Sequence, residues 1–519
     1  MPQDMSPLKE LNSSRQSWVL IGLLFSVTSI IYLQTYFFRY INLDDPEYIL
    51  NNPLIRDFNI FYLLDFRTLI ASDWTPLVTL SHAIEYKLWG FFPGGLHLVS
   101  ALIHCMNAVL LHYLLRSMNF NRSVSILVPL IFAAHPLQVE SVAWLSSRKN
   151  LLSTFFGLSY LLLIKKDKLP PAFLSLLLAL ASKGTSVFFP ILGFAIILID
   201  DKSSVRSLRY TVLISVSFLA AFLRGSLSVL AQGEVIQGRQ IAGMDFFDRM
   251  AVMGKVLLYQ CSQFFLPTDL SILYLWDRAA WSETNVLLSW LCIISLACWA
   301  LYLSKRNRHL QFGILLFAAS LFPTFNIVTG PAFQADRYFY LPLAGLSIVV
   351  LELGFNIVPK WSKQIFLTGV VFILIQTAFA FHYVAFYRNS GEFWSHAIEQ
   401  HSYYPFAFFH RGVYRAQNGM LDAAEQDLLQ TLSLQPEHIE AHYNLAEINY
   451  RRGRYAKAIE NLENLLLINA DVKVYPLYVK NVNAAGMTER GKAFMQYLLK
   501  KNPDNKYAQA ALPHIGQEK

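Results

Sequence analysis

Apolar runs of helix length, separated by short polar gaps, fill the chain up to about residue 389, and a polar, repetitive pattern takes over from there. The runs lie at 18–38, 96–115, 123–139, 147–164, 171–183, 185–200, 210–231, 285–304, 310–328, 339–357 and 364–386. A bilayer crossing needs about 20 apolar residues, so the pattern predicts a polytopic bundle of about eleven spans. The first run is too long for a signal h-region and lacks a small-residue cleavage site, so it reads as a retained span. Residues 250–266 are apolar but interrupted by Lys255 and Gln260, and read as an interfacial helix that does not cross. Between the first two runs, residues 39–95 mix Asp, Asn, Arg, Pro and Gly with aromatics, which suits short helices on the membrane surface.

The tail predicts stacked helix pairs. Gly419 and Gly453 stand 34 residues apart, as do Ala424 and Ala458. Ala441-His442-Tyr443-Asn444-Leu445-Ala446, with Gly453, Tyr455 and Ala458, follows the small/large order of a tetratricopeptide repeat. A preceding copy runs over 407–436, and a degraded third over 475–503 has Gly486 and Ala493 one residue out of phase. So few copies need a cap, which 392–401 is placed to supply. The expected division is a membrane domain over 1–389 and a repeat domain over 390–519.

Composition agrees with a membrane protein. The 519 residues are 54% hydrophobic and only 15% charged, against about 25% charged in typical globular domains. Mean hydropathy is +0.36. The net charge of +8 comes without a compact basic domain or a recognition motif, which argues against nucleic-acid binding. Instead the cations sit in short loops: Arg116/Arg122, Lys165-Lys166-Asp167-Lys168, Lys202/Arg206/Arg209, Lys305-Arg306-Asn307-Arg308 and Lys360/Lys363. The positive-inside rule turns these loops to the cytoplasm. The outer loop, the 134–146 loop, the 329–338 loop and the repeats then share the non-cytoplasmic face. Four cysteines without metal-type spacing read as small buried hydrophobes.

Five constellations fall at that face or at span edges. They are Asp44-Asp45; Asp73-Trp74-Thr75-Pro76; His135 to Glu140 followed by Arg148; Ser182-Lys183-Gly184; and Asp336-Arg337-Tyr338. Each has a plainer reading: a solvated acidic loop, an interfacial tryptophan, a His-Pro helix cap, a snorkelling lysine, an ion pair at a helix start. Their shared side favours chemistry. Two adjacent carboxylates can divide roles, one taking a proton while the other orients the acceptor or a metal. A sugar on a polyprenyl phosphate leaves as a low-pKa phosphate. It needs cations on the departing group, which Arg148, Lys183 and Arg337 would supply, and a base near the incoming hydroxyl, which Asp44 or Asp45 would supply. One-step displacement inverts the anomeric centre. Trp74, His135, Glu140, Asp336 and Tyr338 complete the candidate pocket. Asp44, His135 and Glu140 leave room for a divalent metal without diagnostic spacing.

Taken in order, Leu43-Asp44-Asp45 with Asn52-Pro53, Trp74-Thr75-Pro76-Leu77 with Gly95-Leu96-His97, His135-Pro136-Leu137-Gln138-Val139-Glu140, and Asp336-Arg337-Tyr338-Phe339-Tyr340-Leu341-Pro342 followed by the repeats resemble the GT-C class of polytopic glycosyltransferases. The nearest likeness is to the transmembrane and tetratricopeptide-repeat O-mannosyltransferases and their bacterial relatives. The resemblance implies an all-α fold, a polyprenyl- or dolichyl-phosphate sugar donor, an outer-loop Asp as catalytic residue and transfer to a hydroxyl. A protein or peptide acceptor would be presented by the repeats. Arg148-Lys149-Asn150 and Ser182-Lys183-Gly184 lack acids that often follow in that class, and the short repeat array fits a bacterial inner-membrane enzyme with periplasmic repeats. A membrane-anchored repeat scaffold for an envelope complex is the alternative. A transporter would show paired repeats or broken midplane helices, which are not detected.

Overall fold

The computed structural model describes residues 7–63, 65–66, 69–70, 73–200, 207–232, 246–274, 283–305, 307–324, 334–469 and 474–517. Lys202, Arg206, Arg306 and positions 329–333 of the fourth loop lie outside them. The described residues are almost wholly helical and contain no strand longer than the isolated bridge Ile70–Asp73. The chain divides into Met1–Asn389 and Ser390–Lys519.

The first unit runs α1 Pro7–Tyr32, α2 Pro53–Arg56, α3 Pro76–Trp89, α4 Pro93–Ser117, α5 Arg122–Ala134, α6 Val139–Ala143, α7 Arg148–Lys165, α8 Leu169–Ser182, α9 Phe189–Asp200, α10 Leu208–Gln232, α11 Phe246–Phe265, α12 Glu283–Ser304, α13 Arg308–Leu321, α14 Pro342–Ile357 and α15 Ser362–Tyr383. The starts follow from local chemistry. Asn121 and Asn307 accept hydrogen bonds from the first free amides of α5 and α13, and Pro opens α3, α4 and α14, where its missing N–H costs nothing.

A helix stands near each of the eleven expected runs, and among the described residues five are long and apolar enough by themselves to cross a membrane: Gln16–Phe37, Pro93–Ser117, Leu208–Ala231, Asn285–Ser304 and Pro359–Tyr387. Counting Arg122–Ala134 with Pro136–Ala143 as one bent span makes six. The chain is a membrane protein, and three shorter apolar helices, Leu169–Ser182, Gly184–Ile199 and Pro342–Ile357, stand beside these. The expected continuous run 123–139 is the plainest departure. Pro136 disfavours helical geometry at His135, so α5 ends at Ala134 and the chain turns by 59°.

α4 is the buried hub, packed on α1, α5, α6 and α7. Its polar residues are spent on neighbours: Asn107 donates to the Leu151 carbonyl and the Tyr340 hydroxyl, and His104 meets the same hydroxyl at 2.8 Å. α13 and α14 approach closely because Gly345 has no Cβ to strike the Phe317 backbone. At one end of the helices Asp167 pairs with Arg209 at 2.8 Å, and His309 donates to the Met118 carbonyl. Loops expected on one face thus meet in pairs.

The second unit stacks α16 Ser390–Gln400, α17 Pro405–Gln417, α18 Leu421–Leu434, α19 Ile439–Arg451, α20 Tyr455–Ile468, α21 Val474–Ala484, α22 Thr488–Lys501 and the short α23 Lys506–Ala511. Gly419, Gly453 and Gly486 each end the first helix of a pair at φ +77°, +70° and +66°, a conformation costly for any residue with a Cβ. Ala407, Ala424, Ala441 and Ala458 are fully buried where the helices cross. α16 covers the first pair, with Trp394 stacked on His410 at 4.9 Å.

Candidate active site

Opposite the Asp167–Arg209 end, the outer loop folds onto the turn before α7. Pro46 opens a single helical turn, Pro46–Leu50, directly after the two acids. Asp45 is buried and fully committed. Its Oδ2 accepts from the Ile41 amide at 2.8 Å, and its Oδ1 from the Ser146 amide and hydroxyl at 3.1 and 2.5 Å. Burial pushes its carboxyl up to about 6, against the pull of the Ser146 and Ile41 donors.

Asp44 is different. It is half-buried, and among the described residues its carboxylate takes no hydrogen bond. It lies within electrostatic reach of Lys149 and Arg337. The adjacent acids therefore separate into one that fastens the loop and one whose oxygens stay available.

Three cations gather here: Lys149 and Arg337 feel the charge of Asp44, and both act on Lys183. Lys149 reaches the Tyr48 hydroxyl at 3.2 Å, lies 4.7 Å from that ring's centre, and stands 3.8 Å from Asp73. Arg337 is held by Glu140, which takes the Arg337 amide at 2.7 Å and pairs with its guanidinium, and it packs over Trp144 and Tyr338. Lys183 donates to the Asn150 side-chain oxygen and lies 6.0 Å from the Tyr338 ring centre. Among the described residues no carboxylate stands at ion-pair distance from Lys183, though Lys149, Arg337, Asp73 and Glu140 all act on it electrostatically. Burial, and then the charges of Lys149 and Arg337, push the Lys183 amine down to about 7, so an anion placed against it would restore its proton and be held by three cations.

Several expectations change. Arg148 does not face this cluster: its guanidinium is fully buried and spent on Glu85, Ser100 and the Leu96 carbonyl. Burial opposes the Glu85 charge, but Arg148 and His82 together hold that carboxyl below its ordinary value. Successive helix residues point about 100° apart, so when Arg148 turns inward at the start of α7 its neighbour Lys149 turns to the pocket. His135 is a cap, with Leu137 donating to its Nδ1 at 3.2 Å and its Nε2 donating to the Phe264 carbonyl at 2.9 Å. With both His135 nitrogens and both Glu140 oxygens occupied, the Asp44–His135–Glu140 metal set does not form. Asp336 faces inward to the Tyr274 hydroxyl at 2.5 Å, and burial beside Glu140 keeps its carboxyl well above the ordinary range. Trp74 is buried next to the pocket, under Arg224 and 4.8 Å from Phe66. Tyr48, Ser146 and Arg224 were not singled out from the pattern, and Lys149 stood in the Arg148-Lys149-Asn150 block without a role; the one further signal was an arginine inside an apolar run.

The tetratricopeptide repeat family matches residues 415–478. A Caenorhabditis elegans protein named protein O-mannosyl-transferase F38B6.6 is 24% identical over 90% of this chain. The chain's relatives are named protein O-mannosyl-transferases. Human TMTC1 is another, at 22% identity over 87% of this chain, and Drosophila Tmtc2 reaches 35% over 15% of it. The chain spans 65% and 54% of the length of the first two. The solved Archaeoglobus fulgidus oligosaccharyltransferase overlaps 75% of this chain and 58% of its own, at 10% identity and a TM-score of 0.43. The resemblance drawn from the ordered acidic, His-Pro and Asp-Arg-Tyr blocks is thus matched by relatives that cover most of the chain.

Proposed function

We propose that the chain is an inverting GT-C-type glycosyltransferase that moves a sugar from a polyprenyl- or dolichyl-phosphate donor to a hydroxyl acceptor on the non-cytoplasmic face. The names of its relatives favour mannose as the sugar and a protein Ser or Thr as the acceptor. The observation that carries this reading is a chain of charges at one end of the helices: an Asp44 carboxylate without hydrogen-bond partners acts on Lys149 and Arg337, and both of these act on a Lys183 with no carboxylate at ion-pair distance.

In this mechanism Asp44 takes the acceptor hydroxyl proton as the oxygen attacks the anomeric carbon. The bond from that carbon to the phosphate oxygen breaks, and the electron pair leaves on the lipid phosphate. Lys183, Lys149 and Arg337 hold the charge that develops there, and Glu140 fixes Arg337 in place. Asp45 takes no proton; it fastens the loop so that Asp44 meets the acceptor. The repeats present the acceptor polypeptide, and the setting is a bacterial inner membrane with the repeats in the periplasm.

The test is sugar transfer from polyprenyl-phosphate mannose in membranes holding Asp44→Asn or the parent chain. Loss of a positioned base lowers the rate by about 10²–10⁴-fold with unchanged expression and thermal stability. Transfer at the parental rate by Asp44→Asn would remove the base from this scheme. A reporter fused after the repeats and found in the cytoplasm would overturn the assigned face.

A further inference from the structure

Arg224 is the cation that the scheme above leaves without a task. It sits in α10, inside the apolar stretch Leu208–Ala231 with mean hydropathy 1.9, and is 5% exposed. A charge in such a setting is expensive unless its donors are met, and here they are met from three directions. Nε donates to the Leu180 carbonyl at 3.0 Å, in the last turn of α8 before Lys183. Nη2 donates to Asp73 at 3.2 Å and to the Trp74 carbonyl at 2.9 Å, both on the outer loop. Nη1 donates to Ser228 one turn along its own helix. The guanidinium also stacks 5.5 Å from the Trp74 ring centre, and a Cβ on Gly184 would strike the Ser228 hydroxyl that receives Nη1 and press within 3.2 Å of the guanidinium itself.

One side chain therefore ties the outer loop, which carries Asp73 and Trp74, to the segment that carries Lys183. We propose that Arg224 is a positioning residue that sets Lys183 and the Asp73–Trp74 loop at a common distance around the donor phosphate. The proposal rests on the donor reading above for its effect on binding, but not for the geometry it describes. Lysine cannot reproduce the tie, because its one nitrogen cannot occupy the separate positions of Nε, Nη1 and Nη2 that reach Leu180, Ser228 and the Asp73–Trp74 loop. Asp73 compensates the buried guanidinium and also stands near Lys149, so the tie reaches two of the three pocket cations.

Two charge-conserving variants test it in the full-length purified chain: Arg224→Lys, which loses the fork, and Gly184→Ala, which pushes the guanidinium away. The first readout needs no activity. Acetylation of Lys183 by a water-soluble succinimidyl ester, followed by mass spectrometry, changes several-fold in both variants, while exposed Lys480 reacts as before. The second is transfer from polyprenyl-phosphate mannose. Arg224→Lys raises the donor KM about tenfold with kcat nearly unchanged, and adds nothing once Lys183→Met is present, because the two act through one contact. Unchanged Lys183 labelling in both variants, or a loss additive with Lys183→Met, overturns the proposal. A parent chain that neither binds nor uses the polyprenyl donor overturns the donor reading instead, and the labelling still decides the role of Arg224.

Discussion

In the membrane unit Arg148–Glu85, Arg337–Glu140 and Arg224–Asp73 have both partners largely withdrawn from solvent. In the repeat unit Arg451–Glu447 and Arg490–Glu463 keep about half of each arginine exposed, and Asp422, paired with Arg452, is almost fully exposed. Exposed pairs contribute about 0–1 kcal/mol and exchange freely with water. Buried pairs cost desolvation and add little net stability, so their presence implies geometry that the chain must keep. The repeat unit has a buried exception, Asp427 between Arg411 and Arg415, which links the two helices of its first pair. Elsewhere in that unit the core is apolar, built on Leu462, Leu465, Tyr478 and Met495.

The largest effect expected from this contrast is at Arg148. Arg148→Met leaves Glu85 buried with His82 as its remaining partner and destabilises the membrane unit by about 3 kcal/mol in denaturant unfolding in detergent. Adding Glu85→Leu recovers most of that loss; a double variant as unstable as the single one would show that Arg148 acts through packing alone. Leu462→Ala in the repeat unit opens a cavity in an apolar core and costs about 2–5 kcal/mol by the same measurement. A loss well below this range would mean that the repeat core collapses around the gap.

Asp45 supplies a pH signature. Its folded carboxyl titrates near 6, above its ordinary value of 3.8, so between those values the folded state holds a proton that the unfolded state has shed. Its contribution to stability is therefore complete below about pH 3.8 and lost as pH rises through about 6. Asp45→Asn removes that part of the slope in a stability-against-pH series; an identical slope in the variant would place the titration elsewhere. The smallest effect is at the surface: Arg451→Ala changes repeat stability by less than about 1 kcal/mol, and less still in high salt. A larger change would make that exposed pair a structural contact.

The helical class, the change of character near residue 390 and the repeat period were legible because each is a periodic property of the chain. Gly486 was already one residue out of register in the pattern, and α21, the helix before it, has 11 residues where α17 and α19 have 13. Arg337 with Glu140 illustrates the opposite case. Both were candidates, yet their pairing across nearly two hundred residues has no local signature. His135-Pro136 permitted both a cap and a ligand; the Leu137 amide makes it a cap, and the Phe264 carbonyl, brought in by α11, takes the nitrogen a ligand would have used.

The order of apolar and polar residues by itself determined that this is a helical membrane protein with a solenoid tail, because burial against lipid and helix-on-helix packing impose periods that a linear string can show. Which of two adjacent charges enters the pocket was decided only by the fold. Asp44 against Asp45, and Lys149 against Arg148, differ by one position and so by direction, and direction acquires meaning only once Ser146, Glu85 and Ser100 are in place to receive the inward-facing member.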